Sequence, residues 1–311
     1  MLNKYHSRPA RRSTGFSLVE VVISIILVSI ISIGLVQFIV DSASGYSSTA
    51  RRNKLSSAGR VVVDRISMEL HNALPNSVRI SSAYTSGSAR VLAGDAYAGD
   101  QCIEFVPVRA ATTYIDPAFR PRPRKPGFDV VDFVPDQVGE TNVFIAVYPR
   151  NAADIYNANF AGPNTSEAIA GASVADALPG DGINEITTST NHRFKRRSPN
   201  MRSFLTDQPV SYCILGQRLY RYTNYGFSGT QLRPADIDGS CSGTCLPSAT
   251  PDRVLITTDL NNGPLTDAGS QAFDQLAATR RRNAVIQLDL SFAKEGDEVL
   301  LNHEVLLHST P

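Results

Sequence analysis

The sequence predicts an α+β fold, in which one long N-terminal helix packs on an antiparallel β-sheet that carries long loop insertions. Two observations support this prediction. Residues 16–40 run almost unbroken through valine, isoleucine and leucine, and short β-rich segments separated by turn residues follow from residue 101 onwards. The 30 basic and 29 acidic residues nearly cancel, so net charge gives no sign of a nucleic-acid or membrane-surface partner.

The first part of the predicted helix is long enough to cross a membrane. A helix of residues 16–40 would measure about 37 Å, against roughly 30 Å of hydrocarbon in a bilayer. A secretory signal peptide has a shorter apolar core, with small residues after it for cleavage. Residues 1–15 hold four basic residues and no acid, which favours an N terminus on the cytoplasmic side. The sequence therefore predicts a single membrane-spanning helix with its N terminus inside.

The second part of the predicted helix is amphipathic. Apolar residues recur at spacings of three and four, at Leu55, Ala58, Val62, Ile66 and Leu70. Residues 46–73 contain no proline, and the Pro75–Asn76 pair ends the helical pattern. We assign residues 41–75 to this continuation of the helix and residues 76–311 to a β-rich globular domain.

The globular domain reads as a series of short strands. Six β-rich segments bounded by turn residues lie at 101–108, 129–134, 142–148, 210–215, 217–223 and 253–258. The clearest pair of strands lies at the end of the sequence. Residues 284–292 alternate between apolar and polar, residues 294–297 are predicted to form a turn, and residues 298–308 are predicted to run back as the second strand. This pattern predicts an antiparallel hairpin with one face covered by the helix.

Two segments are predicted to lie outside the sheet. Residues 109–128 include the run RPRPRKPG, whose prolines favour an extended loop. Residues 149–209 are rich in Asn, Ala, Gly, Ser and Asp, and a loop of that length is uncommon in a compact domain. We expect residues 149–209 to form a long insertion, either a subdomain or a flap at the rim of the sheet.

Glu20 lies inside the apolar run, where an acid is costly and usually has a function. It follows Gly15 and Phe16, which stand at the junction between the basic leader and the apolar run. The stretch GFSLVE resembles the class III signal of type IV pilins and type II secretion pseudopilins. The resemblance implies that a membrane prepilin peptidase cuts after Gly15 and methylates the new amine of Phe16. Residues 1–15 would be the leader, and residues 16–40 would form the filament core after assembly.

The resemblance gives Glu20 a physical role. A cleaved chain carries a positive α-amine at Phe16, and Glu20 of a neighbouring subunit can neutralise it. Two opposite charges buried together cost less than either charge buried alone. The pair would then fix the depth at which a subunit joins the bundle. The alternative is a carboxylate that reaches the membrane surface and has no partner.

Several later stretches extend the resemblance. Residues 60–80, 198–214, 219–222 and 299–311 look like the large minor pilin of mannose-sensitive haemagglutinin (MSHA) pili, the MshO type. That type is related to PilW-like minor pilins and, more distantly, to J-type pseudopilins. Major pilins commonly have a proline about twenty residues into the mature helix, and Gln37 occupies that position here. The resemblance therefore implies a type IV pilin-like fold and a minor subunit.

The implied function is that of a structural and assembly subunit, in the initiating tip complex of an MSHA-class pilus, and not of an enzyme. Its partners would be the prepilin peptidase, other minor and major pilins, the inner membrane and the pilus assembly platform. The mature domain would lie in the periplasm and then on the pilus at the cell surface. The alternatives are a type II secretion pseudopilus tip subunit of the J type, and a pilus-tip adhesin or DNA-binding minor pilin.

The four cysteines fall in the exported part of the chain, where an oxidising compartment favours disulfides. Three pairings are possible. We favour Cys241–Cys245, which closes a small local loop, together with Cys102–Cys213, which joins two predicted strands. The run around Cys241 superficially resembles a nucleophile elbow, but the strand before it and the helix after it are missing.

No other motif predicts a catalytic, metal or cofactor site. His303 and His308 are five residues apart, whereas a zinc-protease helix needs histidines four apart. Asp181 and Asn184, like Asp236 and Asp238, are only fragments of a calcium loop, and a calcium site there is the alternative to plain loop structure. The basic clusters read as solvated loop charge, so we do not expect nucleic-acid binding. They lie at Arg120, Arg122, Arg124 and Lys125, and at Arg193, Lys195, Arg196 and Arg197.

Overall fold

The structure is a computed structural model of the 311-residue chain. It describes residues 15, 17–81, 84–85, 88–89, 101–160, 162, 164–165, 167–234, 245–262, 271–276 and 283–307. The chain divides between Arg52 and Asn53 into two compact units. The N-terminal unit contains the apolar part of a long helix, and the C-terminal unit contains the rest of that helix and the strands.

The helices and strands have the following bounds: α1 Leu18–His71, β1 Arg79–Ile80, β2 Tyr84–Thr85, β3 Ser88–Ala89, β4 Cys102–Phe105, β5 Val108–Ile115, β6 Lys125–Val131, β7 Val143–Ala146, α2 Ala153–Tyr156, β8 Asn164–Thr165, β9 Ile169–Ala175, β10 Ile183–His192, β11 Arg202–Thr206, β12 Val210–Leu215, β13 Arg218–Tyr222, β14 Arg253–Thr257, β15 Phe273–Leu276, β16 Val285–Lys294 and β17 Asp297–Leu306. The long N-terminal helix and the β-rich domain of antiparallel sheets agree with the predicted α+β fold.

In the N-terminal unit, α1 exposes its side chains on every side from Leu18 to Val40. Ser24, Ser29 and Ser32 interrupt the apolar run, but each hydroxyl donates a hydrogen bond of 2.7 Å to the carbonyl four residues earlier. Such back-bonding satisfies the hydroxyl within the helix itself. The serines therefore bring no unpaired hydroxyl donor into apolar surroundings.

In the C-terminal unit, the rest of α1 covers the main core. Its buried residues lie on one side of the helix, at Leu55, Gly59, Val62, Val63, Ile66, Ser67 and Leu70. The apolar members share one cluster with side chains of β4 and β12, such as Ile103 and Tyr212, and of β16, such as Phe292. One face of the helix thus covers a core to which two different sheets contribute side chains.

The first of these sheets, sheet A, has the strand order β1-β4-β12-β13-β14 and is antiparallel throughout. A disulfide joins Cys102 of β4 to Cys213 of β12, which are directly paired across the ladder. The two cysteines are 111 residues apart in sequence, so the bond closes a long chain segment. In the chain-entropy description, closing a loop of that length stabilises the fold by about 4–5 kcal/mol.

Between β4 and β12 the chain leaves sheet A and forms a closed β-barrel. The strands β6, β5, β11, β7, β9 and β10 pair in that order through antiparallel ladders, and β6 also pairs with β10. The short strand β8 adds to β10 in parallel. Side chains such as Phe128, Val130, Ile145, Ile186 and Leu205 fill the interior. Because the ring is closed, each of these six strands is paired with a neighbouring strand on both sides.

The barrel overturns the prediction that residues 109–128 form an extended loop. Strand β5 and the start of β6 occupy most of that range, and only residues 116–124 connect them. Pro121 and Pro123 fall within this connection, while Pro126 lies near the start of β6, beside an irregularity in the pairing with β10. A proline is tolerated at the start of a strand or at a bulge. The β-branched residues Thr112 and Thr113 were the better guide to local structure.

The expected insertion at 149–209 also has a different extent. Residues 108–206 contribute strands to one barrel, so the inserted body begins well before residue 149 and is no flap at a sheet rim. The chain enters and leaves the barrel side by side, where the backbone N–H of Asp207 donates to the carbonyl of Pro107 at 3.1 Å. Closely spaced ends allow a large body to be inserted between neighbouring strands of a sheet.

The C-terminal hairpin agrees with its prediction. Strands β16 and β17 pair along their whole length, from Val285–Leu306 to the turn at Lys294–Asp297, and β15 extends the sheet on the other side. Leu288, Leu290 and Phe292 are fully buried in the core under α1. The alternation of apolar and polar residues in this stretch determines which face is buried.

Gly59 is a point where α1 lies close against the hairpin. The predicted stripe placed Ala58 in the core, but Ala58 is exposed and Gly59 takes the buried position. A Cβ at residue 59 would overlap Leu301 Cδ1 and would lie 2.9 Å from Phe292 Cε2. Because the Phe292 ring is fully buried, it has little room to move aside.

The substitution Gly59→Val should therefore destabilise the C-terminal unit by about 2–3 kcal/mol, as an overpacked core does. The matched control is Gly45→Val, since nothing lies within 4 Å of a Cβ at residue 45 of the same helix. Thermal unfolding, followed through the circular dichroism of the strands, measures the difference. Equal melting temperatures for the two variants would contradict the close packing.

His192 is a buried histidine at the end of β10. Its imidazole is 3 % exposed, its Nε2 lies 3.1 Å from the carbonyl oxygen of Glu167, and its ring contacts Phe194 edge-on. Burial, helped by the positive charge of Arg124, lowers the pKa of His192 from 6.5 to about 4. The folded protein therefore keeps this ring neutral at pH values where the unfolded chain already binds a proton.

Since the unfolded chain binds the extra proton, stability should fall as the pH drops from about 6.5 towards 4, by about 1.4 kcal/mol per pH unit from this residue. The variant His192→Gln removes the titrating group and should flatten that part of the curve relative to the wild type. Chemical denaturation at a series of pH values provides the comparison. Parallel curves for the two proteins would show that His192 does not cause the loss.

Candidate functional site

The N-terminal motif centres on Gly15 and Glu20, both of which are exposed. Phe16 lies outside the described residues, so cleavage between Gly15 and Phe16 stays a prediction. Glu20 stands in the first turn of α1, and the first hydrogen bond of that turn runs from the N–H of Val21 to the carbonyl of Ser17 at 3.1 Å. The helix thus begins within three residues of Gly15 and includes Glu20 from its start.

The first turn offers a favourable place for an acid. Its backbone N–H groups have no partner within the helix, and together they act as a partial positive charge. A carboxylate there gains about 0.3–1 kcal/mol in water. This term is much smaller than the several kcal/mol needed to bury a charge without a partner. The helix terminus alone therefore does not explain an acid in an apolar medium.

From Val21 to Val40 the helix is predominantly apolar. The most apolar 18 residues of α1 have a mean hydropathy of 2.7, and none of them is buried within the described part of the protein. Leu18 is 81 % exposed and Ile33 is 73 % exposed. A surface of this kind needs lipid or other apolar helices around it, since large apolar patches do not stay in water. By length and composition α1 can cross a membrane, and Glu20 would lie at one end of that segment.

A second group of polar contacts fixes the buried part of α1 to sheet A. The carboxylate of Glu69 accepts hydrogen bonds from the Tyr212 hydroxyl at 2.7 Å and from Arg221 Nε at 3.1 Å. Arg65, one turn earlier on the helix, lies 3.5 Å from the same carboxylate. Burial and the charge of Glu69 raise the pKa of Tyr212 well above its ordinary value, so Tyr212 remains a donor. These contacts keep the helix in the orientation about its axis that places its apolar stripe in the core.

A third group is buried where the barrel meets sheet A. The side chain of Glu104 is 1 % exposed and accepts hydrogen bonds from Arg79 Nε at 2.5 Å and from the Tyr225 hydroxyl at 3.1 Å. The Arg79 guanidinium also lies 3.6 Å from the ring centre of Tyr156 in α2. Burial raises the pKa of Glu104, and Arg79 partly offsets that effect. Loss of either charged partner would leave the other buried without compensation.

The cysteines divide between described and masked parts of the chain. Cys102 and Cys213 form the disulfide of sheet A, the same pair that we favoured on sequence grounds. Cys245 is also disulfide-bonded. Cys241 lies outside the described residues, so the pairing Cys241–Cys245 stays a prediction.

The calcium-loop fragment at Asp181 and Asn184 serves local structure. The carboxylate of Asp181 accepts a hydrogen bond from the N–H of Ile183, and the buried Asn184 side chain accepts one from the N–H of Phe133. Asp236 and Asp238 lie outside the described residues, as does His308. Among the residues that the structure describes, no three His, Cys, Asp or Glu side chains are close enough to hold a metal ion.

The two basic clusters come together in the barrel, where Phe119 and Phe194 pair as an isolated bridge. Several of the cations have acidic partners: Arg122 and Lys125 pair with Asp116, and Lys195 and Arg196 pair with Asp154. Partial burial, with the charges of Arg124 and Arg120, lowers the pKa of Arg193. These four cations therefore have acidic partners inside the protein.

No sequence pattern pointed to Glu69 or Glu104 as anchoring residues. Their partners are distant in sequence, 143 and 152 residues from Glu69 and 25 and 121 residues from Glu104. The only hint in the sequence is the position of Glu69 next to Leu70, which places it at the border of the buried face of the helix. Isolated acids at such borders are common, and only the fold shows which of them are paired.

Comparison with known proteins bears on the N-terminal motif alone. The family model described as the prokaryotic N-terminal methylation motif matches residues 10–36, which include Gly15, Phe16 and Glu20. No curated protein and no solved structure matches the chain. The match supports a prepilin-type, type IV pilin-like protein, and the single apolar N-terminal helix fits a membrane-anchored, single-pass chain. Such a motif implies processing by a prepilin peptidase and assembly with other pilins.

Proposed function

We propose that the chain is a minor pilin of an MSHA-class type IV pilus. It is made as an inner-membrane precursor, cleaved between Gly15 and Phe16, methylated at Phe16 and assembled in the initiating tip complex. It acts as a structural and assembly subunit and not as an enzyme. The single observation that carries this proposal is Glu20, an acid in the first turn of α1, whose apolar side chains from Leu18 to Val40 are all exposed.

The physical argument concerns charge in an apolar medium. Cleavage at Gly15 would create a positive amine four residues before Glu20, at the start of the helix. In a bundle of such helices, the amine of one subunit and the carboxylate of another can neutralise each other. Each group offsets the desolvation penalty of its partner, whereas either alone is strongly unfavourable. Pairing then selects one axial depth for each incoming subunit.

The placement as a minor subunit at the tip rests on two features of the chain. Gln37 replaces the proline that major pilins commonly carry in the mature helix. The C-terminal unit also carries a six-stranded barrel between two strands of sheet A. A large added body is easier to accommodate at the end of a filament, where neighbours lie on one side only, than at every position along it.

The variant Glu20→Ala tests the mechanism. It should be cleaved normally but should enter pili poorly, because the amine of a neighbouring subunit would be buried without a partner. Breaking a buried pair costs about 3–5 kcal/mol, which corresponds to more than about a hundredfold loss of incorporation. Quantitative immunoblots of sheared pili and of membranes, from cells that assemble the pilus, measure the two pools.

The matched control is Ser24→Ala, which removes a polar side chain one turn later that bonds only to its own helix. This variant should enter pili normally. Normal incorporation of Glu20→Ala would contradict the charge-pair mechanism. If deletion of the chain blocked secretion of exported enzymes and left pili intact, the chain would belong to a type II pseudopilus instead.

A further inference from the structure

Two cavities of the C-terminal unit adjoin each other. The larger, of about 660 Å³, lies between the barrel and sheet A, and the smaller, of about 340 Å³, lies on the outer surface of the barrel. Asn142 and Phe144 line both cavities. We refer to the two cavities and these shared residues as the trough. Each cavity falls within the range of about 300–1,000 Å³ that small-molecule sites occupy.

The centre of the trough is aromatic. The ring of Phe144 contacts Phe160 and Phe227 edge-on, with ring centres 5.2 and 4.7 Å apart, and all three side chains are half-buried. Aromatic rings that stay partly exposed provide a rigid apolar surface at little entropic cost. They can support a ligand that has a flat apolar face.

The surface on one side of this aromatic centre, which we call the floor of the trough, is lined with hydroxyl groups. Thr187 pairs with Ser173 across β9 and β10, and Ser189 lies beside Gly171, where a Cβ would come within 2.7 Å of its Oγ. Among the described residues, none donates or accepts a hydrogen bond with the hydroxyls of Ser173, Thr187 or Ser189. Gly171 keeps the surface open because it has no side chain. The floor therefore offers several hydroxyl groups to a ligand.

Asn142 adds an amide at the junction of the two cavities. Its backbone has φ +57°, an uncommon left-handed conformation that Asn tolerates better than most residues and that directs the chain into β7. Its side chain is exposed, and no group in the described part of the chain hydrogen-bonds to it. An amide both donates and accepts, which suits a partner with hydroxyl groups.

The charged residues of the larger cavity are already compensated. Arg109 lies 2.6 Å from Asp207 and 2.7 Å from Glu140, and Arg221 is bound to Glu69. The remaining polar lining consists of amides and hydroxyls, including Thr141, Gln208 and Thr223. This balance gives an anionic or a cationic ligand no uncompensated charge to pair with.

We propose that the trough binds a neutral oligosaccharide, with one sugar ring stacked on the aromatic centre and its neighbours over the hydroxyl-lined floor and the larger cavity. A sugar presents apolar C–H faces and neutral hydroxyl groups, the two chemistries that the trough combines. A peptide strand would require an unpaired sheet edge. Here β7 and β9 each have paired strands on both sides. The inference goes beyond the assembly function and does not rest on it, because the trough lies wholly within the C-terminal unit.

The experiment uses the full chain in phosphatidylcholine nanodiscs, since glycosidic detergents would compete for the trough. Linear tetrasaccharides of glucose, galactose, mannose and N-acetylglucosamine are titrated by ligand-observed NMR, up to about 10 mM. At least one should bind. The variants Asn142→Gly and Thr187→Arg should each weaken that binding by about tenfold or more, because the first removes the shared amide and the second fills the smaller cavity.

Asn142→Gly keeps the left-handed backbone, because glycine adopts φ +57° without strain. The matched control is Glu295→Gly, at φ +50° in the turn between β16 and β17, which should bind like the wild type. Absence of binding by every tetrasaccharide would overturn the proposal. So would equal binding by wild type and both trough variants.

Discussion

The carboxylate of Glu20 constrains the rest of the N-terminal segment, because an ionised acid cannot remain alone among apolar side chains. None of the described residues covers the helix that follows: its side chains from Leu18 to Val40 are exposed on every side. In the proposed assembly, lipid or other helices surround it, and the partner of Glu20 comes from another molecule. An N-terminal amine next to the same apolar surface meets that need, and the methylation motif at residues 10–36 is consistent with the chemistry that would produce it.

The C-terminal unit has a different constraint. A closed barrel is inserted between two strands of sheet A, and these strands must still pair with each other. Strands β4 and β12 remain directly paired although more than a hundred residues separate them, and the Cys102–Cys213 disulfide joins them at that point. The buried Glu104 and Arg79, with Tyr156 of α2, connect the inserted body to the sheet. Sheet A thus retains the face that α1 covers, while the barrel adds the trough. The surfaces proposed for assembly and for ligand binding lie in separate parts of the same chain.

Local sequence patterns were sufficient for α1 and for the hairpin of β16 and β17, because their periodicities are long and uninterrupted. They were insufficient for the barrel, whose closure depends on the pairing of β6 with β10, more than fifty residues apart. Proline-rich composition around residues 116–124 also concealed the strands on either side. Gly59 is buried in place of the predicted Ala58 because Phe292 packs closely against the helix. No local sequence pattern encodes that close packing. The motif of Gly15, Phe16 and Glu20 was readable directly, since its chemistry depends on adjacent residues.

The most direct test is the mass and N-terminal sequence of the protein purified from cells with an active prepilin peptidase. The charge-pair account predicts a chain that begins at Phe16, carries one added methyl group on its α-amine and retains Glu20 as its fifth residue. A steady-state chain that still carries residues 1–15 would contradict the account, because no free amine would then exist for the carboxylate of a neighbouring subunit.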